Sequence, residues 1–164
     1  FDQNGVALKD RAGNPLSFTP EVKAIEIGTN LEVTGIRVIK YPIDYASGDN
    51  SDNDYVYYRL ADVLLMKAEA LLRKNNAGAA LPIVNSVRTN RGIAALGSVS
   101  LDQLLDERGR ELYWESHRRT DLIRFGKYLE PWQEKPTDDP KYLLFPIPNQ
   151  QLAANPNLEQ NPGY

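Results

Sequence analysis

The chain has 164 residues, of which 41% are apolar and 25% are charged, and its formal net charge is −3. The acidic balance argues against a nucleic-acid-binding protein, which would show a basic patch or a high isoelectric point. The absence of Cys excludes disulfides, thiolate nucleophiles and Cys-zinc sites, and the single His excludes multi-His metal sites. No stretch approaches the roughly 18 apolar residues of a membrane-spanning helix. The length predicts one domain over residues 1–164.

Turns and short β elements are predicted near the N-terminus, over residues 1–54. Residues 12–15, Ala-Gly-Asn-Pro, separate two short runs and predict a hairpin or an irregular turn. The β-branched run "GIRVIKYP", residues 35–42, predicts a short strand that is stopped by Pro42. A polar loop follows, and its segment "DNSDND", residues 49–54, lacks the Gly and the Glu of an EF-hand. A solvated loop and a calcium site of another geometry both remain open there.

Two helices are predicted next. Residues 55–74 place apolar residues and alanines at helical spacing, and Asp54 stands where an N-cap belongs. After "NNAG", residues 79–91 predict a second helix, with Gly92 at the position of a left-handed C-cap. The pair resembles a tetratricopeptide-type hairpin whose outer face needs a neighbour. The residues expected in the helix contact are Ala61, Leu64, Ala68 and Val84.

Two further helices complete a predicted helical body over residues 55–126. Ser100 and Gln103 fit a capping box, which starts a third helix that is expected to end at about Glu115. A fourth helix is predicted over residues 120–125 and ends at the glycine that follows it. The fold class is therefore mainly α.

Residues 127–164 contain several prolines, which forbid a long regular helix and predict an extended, irregular tail. The apolar segment "YLLFPIP", residues 142–148, is expected to be buried, because an exposed segment of this composition would favour aggregation.

In the stretch "LLDERGRELYWESHRRTDLIRFGKY", residues 104–128, many charged residues flank a narrow row of apolar ones. Opposite charges recur at helical spacings, where each pair is worth a few tenths of a kcal/mol. These charged residues can form either a solvent-exposed helix face or a buried network that ties the helix to its neighbours. Because Arg108 falls on the apolar stripe and a buried Arg needs carboxylate partners, we predict a structural network. Its members are Arg108, Glu111, Glu115 and Arg119. No carboxylate pair is singled out by spacing, so no catalytic residue and no metal site are predicted.

Aromatic residues are the remaining candidates for ligand contact, because a flat ring on a loop can stack on the apolar face of a sugar. Trp132 and Tyr45 lie in polar surroundings and are the candidate ligand-binding residues. Trp114, within the charged helix, is expected in the core. His117 is expected to be neutral and structural, since two arginines follow it.

Five segments resemble the SusD/RagB family, in its order and at its spacing. They are "GIRVIKYP", "YRLADVLLMKAEAL", "IVNSVRTNRG", the charged stretch above and "LFPIPNQQLAANPNLEQNPGY". The resemblance covers about Gly5 to Tyr164 and matches the C-terminal portion of the family. The N-terminal portion of the family, with most helical repeats and the lipid-bearing Cys, has no counterpart in this sequence. The start at Phe1 without Met is what we expect of a fragment or a processed form.

The resemblance implies a non-catalytic nutrient-binding lipoprotein on the outer-membrane surface of Bacteroidota. Such proteins bind glycans and cap a SusC-type TonB-dependent transporter, and no cofactor is implied. The charged stretch would then be scaffold. Ligand residues vary between family members, so the resemblance transfers none. Two other classes remain open, namely a helical interaction scaffold without a ligand site and a glycoside hydrolase with two carboxylates.

Overall fold

The computed structural model describes residues 2, 4–20, 35–42, 44–48, 50–132 and 135–164. In these ranges the chain forms five α-helices and two 3₁₀ turns, which confirms the mainly helical class. It separates into two compact units, Phe1–Asp54 and Tyr55–Tyr164. This boundary coincides with the change in composition at residue 55, while the single domain over the whole chain stays a prediction.

The part of the N-terminal unit that the structure describes contains turns and irregular backbone. The Asp10 amide donates to the Asn14 carbonyl at 2.9 Å, and Lys9 and Pro15 form an isolated antiparallel bridge. Gly13 completes the turn with φ of +86°, a left-handed conformation that glycine adopts without steric cost. The predicted turn at residues 12–15 is confirmed.

The predicted strand over residues 35–42 is wrong. These residues have bends and irregular backbone, and bridges within the described ranges are isolated ones, at Lys9–Pro15 and Trp132–Lys135. A β-branched run fits a pleated surface, but a strand forms only where a partner strand supplies matching N–H and C=O groups. Later in the same unit, a 3₁₀ turn spans Tyr45–Ser47.

The predicted helical hairpin is present as α1, Leu60–Arg73, and α2, Ala77–Asn90. Each helix ends in a left-handed residue, Asn75 after α1 with φ of +58° and Gly92 after α2 with φ of +72°. The amides that follow bond back to the last turn of the helix, at 2.9 Å and 3.0 Å. Both ends are Schellman motifs, and the predicted role of Gly92 is confirmed.

Helix α1 begins later than predicted, at Leu60, and Asp54 does not cap it. The N-cap is Arg59, in extended conformation and without a side-chain capping bond. Residues 55–58, Tyr-Val-Tyr-Tyr, are aromatic or β-branched and lose side-chain freedom in a helix. The Arg59 side chain instead bonds two distant carboxylates, those of Glu111 and Glu115.

Helix α2 begins earlier than predicted, because Asn76 accepts a hydrogen bond from the Ala79 amide at 3.2 Å. The earlier start leaves Pro82 inside the helix, in its second turn. Because proline has no amide hydrogen, the helix lacks the bond that residue 82 would otherwise donate to the carbonyl four residues earlier.

The core lies where α1, α2 and the third helix meet. Its buried apolar residues are Leu65, Ala68, Ala80, Val84, Val87, Val99 and Leu104. Ala68 and Ala80 are fully buried, so the small side chains lie where the helices approach. Ala61 and Leu64 pack against this core from its edge. The predicted helix contact is confirmed.

Helix α3 spans Leu101–Glu111 and begins with the predicted capping box. The Ser100 hydroxyl accepts from the Gln103 amide at 3.2 Å, and the Gln103 side chain accepts from the Ser100 amide at 2.9 Å. Since both bonds join residues three apart, the local sequence is sufficient to form them.

The end of α3 differs from the prediction, which placed it at about Glu115. Trp114 and Ser116 have φ of +62° and +61°, and left-handed residues cannot continue a right-handed helix. Helix α4, Arg118–Arg124, follows this turn and ends at Gly126, in a third Schellman motif. The predicted stop at Gly126 is confirmed.

The tail is irregular apart from a 3₁₀ turn, Pro140–Leu143, and a short helix α5, Asn149–Ala154. The Gln160 side chain donates to the Ile147 carbonyl at 2.9 Å and accepts from its amide at 2.8 Å. The predicted burial of the segment 142–148 is wrong, because Phe145 is 70% exposed. Side-chain hydrogen bonds, rather than an apolar environment, hold this segment.

Candidate functional site

A buried ion-pair cluster joins α1, α3 and α4. Arg108 is only 2% exposed. Its Nε donates to Asp121 Oδ2 at 2.8 Å, and its Nη2 lies 2.9 Å from Asp62 Oδ1. Arg124 bonds the other oxygen of Asp121 at 2.7 Å and both oxygens of Glu69 at 2.9 Å. Charges removed from water are tolerated only when paired in this way, so the cluster serves as a scaffold.

Electrostatics within this cluster keep Glu69 ionised. Burial raises the pKa of this carboxyl, but the hydrogen bonds from Arg124 and Arg73 outweigh burial and leave the pKa below its ordinary value. The same contacts raise the pKa of Arg124, chiefly through its bond to Glu69. At neutral pH Glu69 and Arg124 are therefore both ionised, and they form hydrogen bonds with each other.

A second cluster holds the segment before α1 against the end of α3. Arg59 donates to Glu115 from Nε at 2.7 Å and from Nη2 at 2.9 Å, and its Nη1 bonds Glu111. Arg91 reaches the same Glu111 at 2.7 Å and 3.1 Å. The bond from Arg91, assisted by Arg59 and opposed by burial, lowers the pKa of Glu111 from 4.5 to about 2.

Arg119 lies apart from both clusters, unlike the other three residues of the predicted network. Its Nη2 donates to the Tyr142 carbonyl at 2.7 Å, and its guanidinium lies 4.1 Å from the centroid of the Phe145 ring. The physical reason is the early end of α3. Glu115 and Arg119 do not share a helix, so their spacing of four residues does not bring them together.

An open groove of about 740 Å³ lies beside the turn between α3 and α4. We call it the Trp114 groove, and its walls include Asp106, Arg110, Tyr113, Trp114, Arg118 and Arg119. Trp114 is 69% exposed, so its predicted place in the core is wrong. The left-handed backbone at Trp114 turns the chain away from the apolar stripe of α3. Tyr113, 58% exposed, lies beside it.

A second open groove of about 450 Å³ adjoins the first, and we call it the Trp132 groove. Its walls include Asp102, Asp106, Arg118, Lys127 and Trp132. Trp132, a predicted ligand residue, is 59% exposed. Its backbone exchanges two hydrogen bonds with Lys135, at 3.0 Å and 2.8 Å. These two bonds hold the backbone of Trp132, while its side chain is open to solvent.

Arg118 separates the two grooves and lines both. Its Nη1 donates to the Leu105 carbonyl at 3.0 Å, across the surface of α3. This path depends on Gly109, because a Cβ there would lie 2.8 Å from Nη1. A glycine inside a helix lowers helix stability, and here it makes room for the arginine.

The remaining residues singled out from the sequence lie outside the two grooves or outside the described residues. Tyr45 belongs to the N-terminal unit, and its side chain lies outside the described residues, as does Asp49 of the possible calcium loop. His117 is the N-cap residue of α4 and makes no side-chain capping bond. In the part of the chain that the structure describes, no three His, Asp or Glu side chains are grouped as metal ligands.

Sequence reasoning missed the Trp114 groove, although one signal pointed to it. The apolar stripe of α3 runs through Leu104, Leu105, Arg108 and Leu112, and the next position on it is Glu115. Trp114 does not fall on the stripe, so its burial did not follow from the helical pattern.

Comparison with known proteins identifies the family. Residues 5–142 match the SusD family, and the chain belongs to it. The chain is 32% identical over 148 residues to the starch-binding protein SusD of Bacteroides thetaiotaomicron, covering 79% of this chain and 26% of that protein. It is 30% identical over 142 residues to the SusD-like protein P38 of Formosa agariphila, covering 79% of this chain and 28% of that protein.

Solved structures agree with this assignment. The surface glycan-binding protein A from Bacteroides uniformis superposes with a TM-score of 0.62 at 33% identity, over 68% of this chain and 28% of that one. A laminarin-binding SusD-like protein gives 0.58 at 36% identity, over 66% of this chain and 23% of that one. The chain thus spans about a quarter of the length of the relatives it matches. Among the described residues, no helix is both long and apolar enough to cross a membrane.

Proposed function

We propose that this chain is part of a longer, non-catalytic glycan-binding lipoprotein at the outer-membrane surface, which delivers oligosaccharide to a SusC-type TonB-dependent transporter. Family membership supports glycan binding, because the relatives include a starch-binding, a surface glycan-binding and a laminarin-binding protein. The chain covers 26% of the starch-binding relative. We therefore place part of the capture site, and the lipid anchor, on an N-terminal part of the same protein.

The observation that carries this proposal is the pair of exposed tryptophans at two adjoining open grooves. Trp114 and Trp132 are each more than half exposed, although indole rings are normally covered. A sugar ring presents an apolar C–H face that stacks on such a ring. Open grooves suit a chain of sugar units better than an enclosed pocket, which suits a single small molecule.

The carboxylates of the Trp114 groove favour binding over hydrolysis. A glycoside hydrolase needs two carboxyl groups facing one sugar linkage, about 5–9.5 Å apart according to mechanism. The two carboxylates of the Trp114 groove are Asp106 and Asp121. Asp121 is 1% exposed and accepts hydrogen bonds from Arg108 and Arg124, so it has no free proton-transfer role.

Calorimetry with a panel of polysaccharides tests the proposal, using the full-length protein and this chain separately. We expect measurable binding by the full-length protein and weaker binding by this chain, since losing one wall of a site costs tenfold in affinity for each roughly 1.4 kcal/mol of contact. Release of reducing ends from any glycan would overturn the non-catalytic assignment. Tight binding to the transporter with no affinity for any glycan would favour an interaction scaffold instead.

A further inference from the structure

We infer that the Trp114 groove selects saccharides that carry carboxylate or sulfate groups. This inference rests on the proposed glycan binding, to which it adds a location and a chemical class of ligand.

The first observation is the charge of the groove. The whole chain carries a net charge of −3. The lining of this groove nevertheless contains four arginines, at positions 108, 110, 118 and 119, and two aspartates, at positions 106 and 121. Arg108 and Asp121 bond each other within the buried cluster. Arg110 pairs with Glu107 at 2.9 Å. What remains on the accessible walls is two guanidiniums, those of Arg118 and Arg119, against the Asp106 carboxylate, a local reversal of the overall charge.

The second observation is that these two guanidiniums are not neutralised. Arg118 bonds the Leu105 carbonyl at 3.0 Å, and Arg119 bonds the Tyr142 carbonyl at 2.7 Å. Within the described ranges, neither forms an ion pair with a carboxylate, whereas the nearby Arg108 and Arg124 both do. A carbonyl oxygen accepts one hydrogen but leaves the positive charge and the remaining N–H donors. Those donors form a planar fork that matches a carboxylate or a sulfate.

The third observation is that both side chains are already held in place. Arg118 lies over the Cα of Gly109, where any Cβ would come within 2.8 Å of it. Arg119 lies 4.1 Å from the Phe145 ring centroid and 5.1 Å from that of Tyr128. Long arginine side chains lose conformational entropy when a ligand orders them, and prior ordering reduces that loss.

The aromatic wall supplies the other half of a saccharide site. Trp114 and Tyr113 are exposed beside the arginines, on the turn after α3. The left-handed φ of Trp114, +62°, is a costly conformation for a bulky residue, on the order of 1 kcal/mol or more. A sugar acid has an apolar C–H face and a charged edge. Stacking on Trp114 therefore orients its anionic group toward Arg118 and Arg119.

The test uses the full-length protein and calorimetry with matched ligands. The anionic panel is polygalacturonate, alginate and chondroitin sulfate, and the neutral panel is amylose, laminarin and methyl-esterified polygalacturonate. We expect the anionic polysaccharides to bind at least about tenfold more tightly, a difference of about 1.4 kcal/mol. The preference should shrink as NaCl is raised from about 50 mM to about 500 mM, because salt screens exposed charges.

Variants locate the site. Arg118→Gln and Arg119→Gln should each reduce affinity for the anionic polysaccharides by about tenfold and change affinity for neutral ones much less. Trp114→Asn removes the ring but suits a left-handed backbone, so binding should fall while the melting midpoint holds. Trp114→Tyr should retain most of the affinity. Lys67→Gln, an exposed residue of α1, controls for a general loss of positive charge.

The outcomes separate the two proposals. Equal affinity for charged and esterified polygalacturonate, or binding of neutral glycans alone, would overturn the acidic class and leave glycan binding standing. An anionic preference that survives the arginine and Trp114 variants would overturn the location. Failure to bind any polysaccharide in either panel would overturn the proposed function together with this inference.

Discussion

Arg108 and Asp121 form a buried ion pair that joins α3 to α4, with Nε 2.8 Å from Oδ2 and both residues at most 2% exposed. Arg108 also faces Asp62, so one arginine balances carboxylates from two other helices. This arrangement accounts for the arginine on an otherwise apolar stripe. It also makes the cluster sensitive to loss of its central cation.

Arg108→Met should destabilise the fold by about 3–5 kcal/mol, because it leaves Asp62 and Asp121 buried without their common partner. Urea unfolding at neutral pH measures the loss. Arg110→Met, on the same helix but 60% exposed at its side chain, is the matched control and should change the free energy of unfolding by less than about 0.5 kcal/mol. Similar effects for the two variants would contradict a structural role for Arg108.

Stability should fall in acid partly through Glu111. Its pKa is about 2 in the folded chain against 4.5 ordinarily, so its ionised form stabilises the fold above about pH 4.5. That contribution, on the order of 1–3 kcal/mol, is lost as pH falls from 4.5 toward 2. Comparing urea unfolding at about pH 7 and about pH 3 should show a smaller acid loss for Glu111→Gln than for the wild type.

Two comparisons complete the Glu111 experiment. Glu159→Gln, at an exposed carboxyl of the tail, should keep the wild-type acid loss. Glu111→Ala should lower stability at neutral pH and leave glycan affinity unchanged. If the Glu111→Ala variant folds normally but no longer binds glycan, Glu111 belongs to the binding site and is not merely structural.

Ala68→Trp should overpack the contact between α1 and α2, because Ala68 is fully buried in the core. The expected cost is about 1–3 kcal/mol or more. Ala70→Trp places the same side chain on the exposed face of the same helix and should have little effect. Thermal unfolding compares the two, and an unchanged midpoint for Ala68→Trp would refute the packing described here.

Trp132→Ala in the full-length protein should weaken glycan binding without changing the fold. The ring is 59% exposed, so its removal leaves no buried cavity, and the backbone bonds to Lys135 do not involve it. Calorimetry should show a loss of up to about tenfold. Unchanged affinity, with a melting midpoint equal to that of the wild type, would remove Trp132 from the candidate ligand residues.

Gly109→Ala should separate stability from binding. Alanine raises helix propensity by about 0.5–1 kcal/mol over glycine, and the atom that its Cβ meets is the flexible end of Arg118. We expect equal or higher stability together with weaker binding of anionic saccharides, as Arg118 is displaced. Gly78→Ala in α2, where a Cβ meets nothing within 4 Å, is the control. Unaltered binding by Gly109→Ala would show that the position of Arg118 is unimportant.

Local sequence patterns were enough to predict the helical class, the hairpin and three of the element ends. The Ser100–Gln103 capping box and the stops at Gly92 and Gly126 each depend on residues within a few positions of one another. Their hydrogen bonds form as soon as the local backbone does. The contact of Ala68 with α2 also followed from helical spacing, since small residues must lie where helices cross closely.

The partners within the charged clusters and the position of the grooves depend instead on how the helices pack. Arg59 bonds Glu111, which is 52 positions away in the chain, and no local pattern predicts that contact. Once α3 ends at Glu111, Trp114 turns outward and Arg119 meets the tail instead of Glu115. By its charge alone, an arginine can pair with any carboxylate of the chain. The packing of α1, α3 and α4 determines which carboxylates lie within reach.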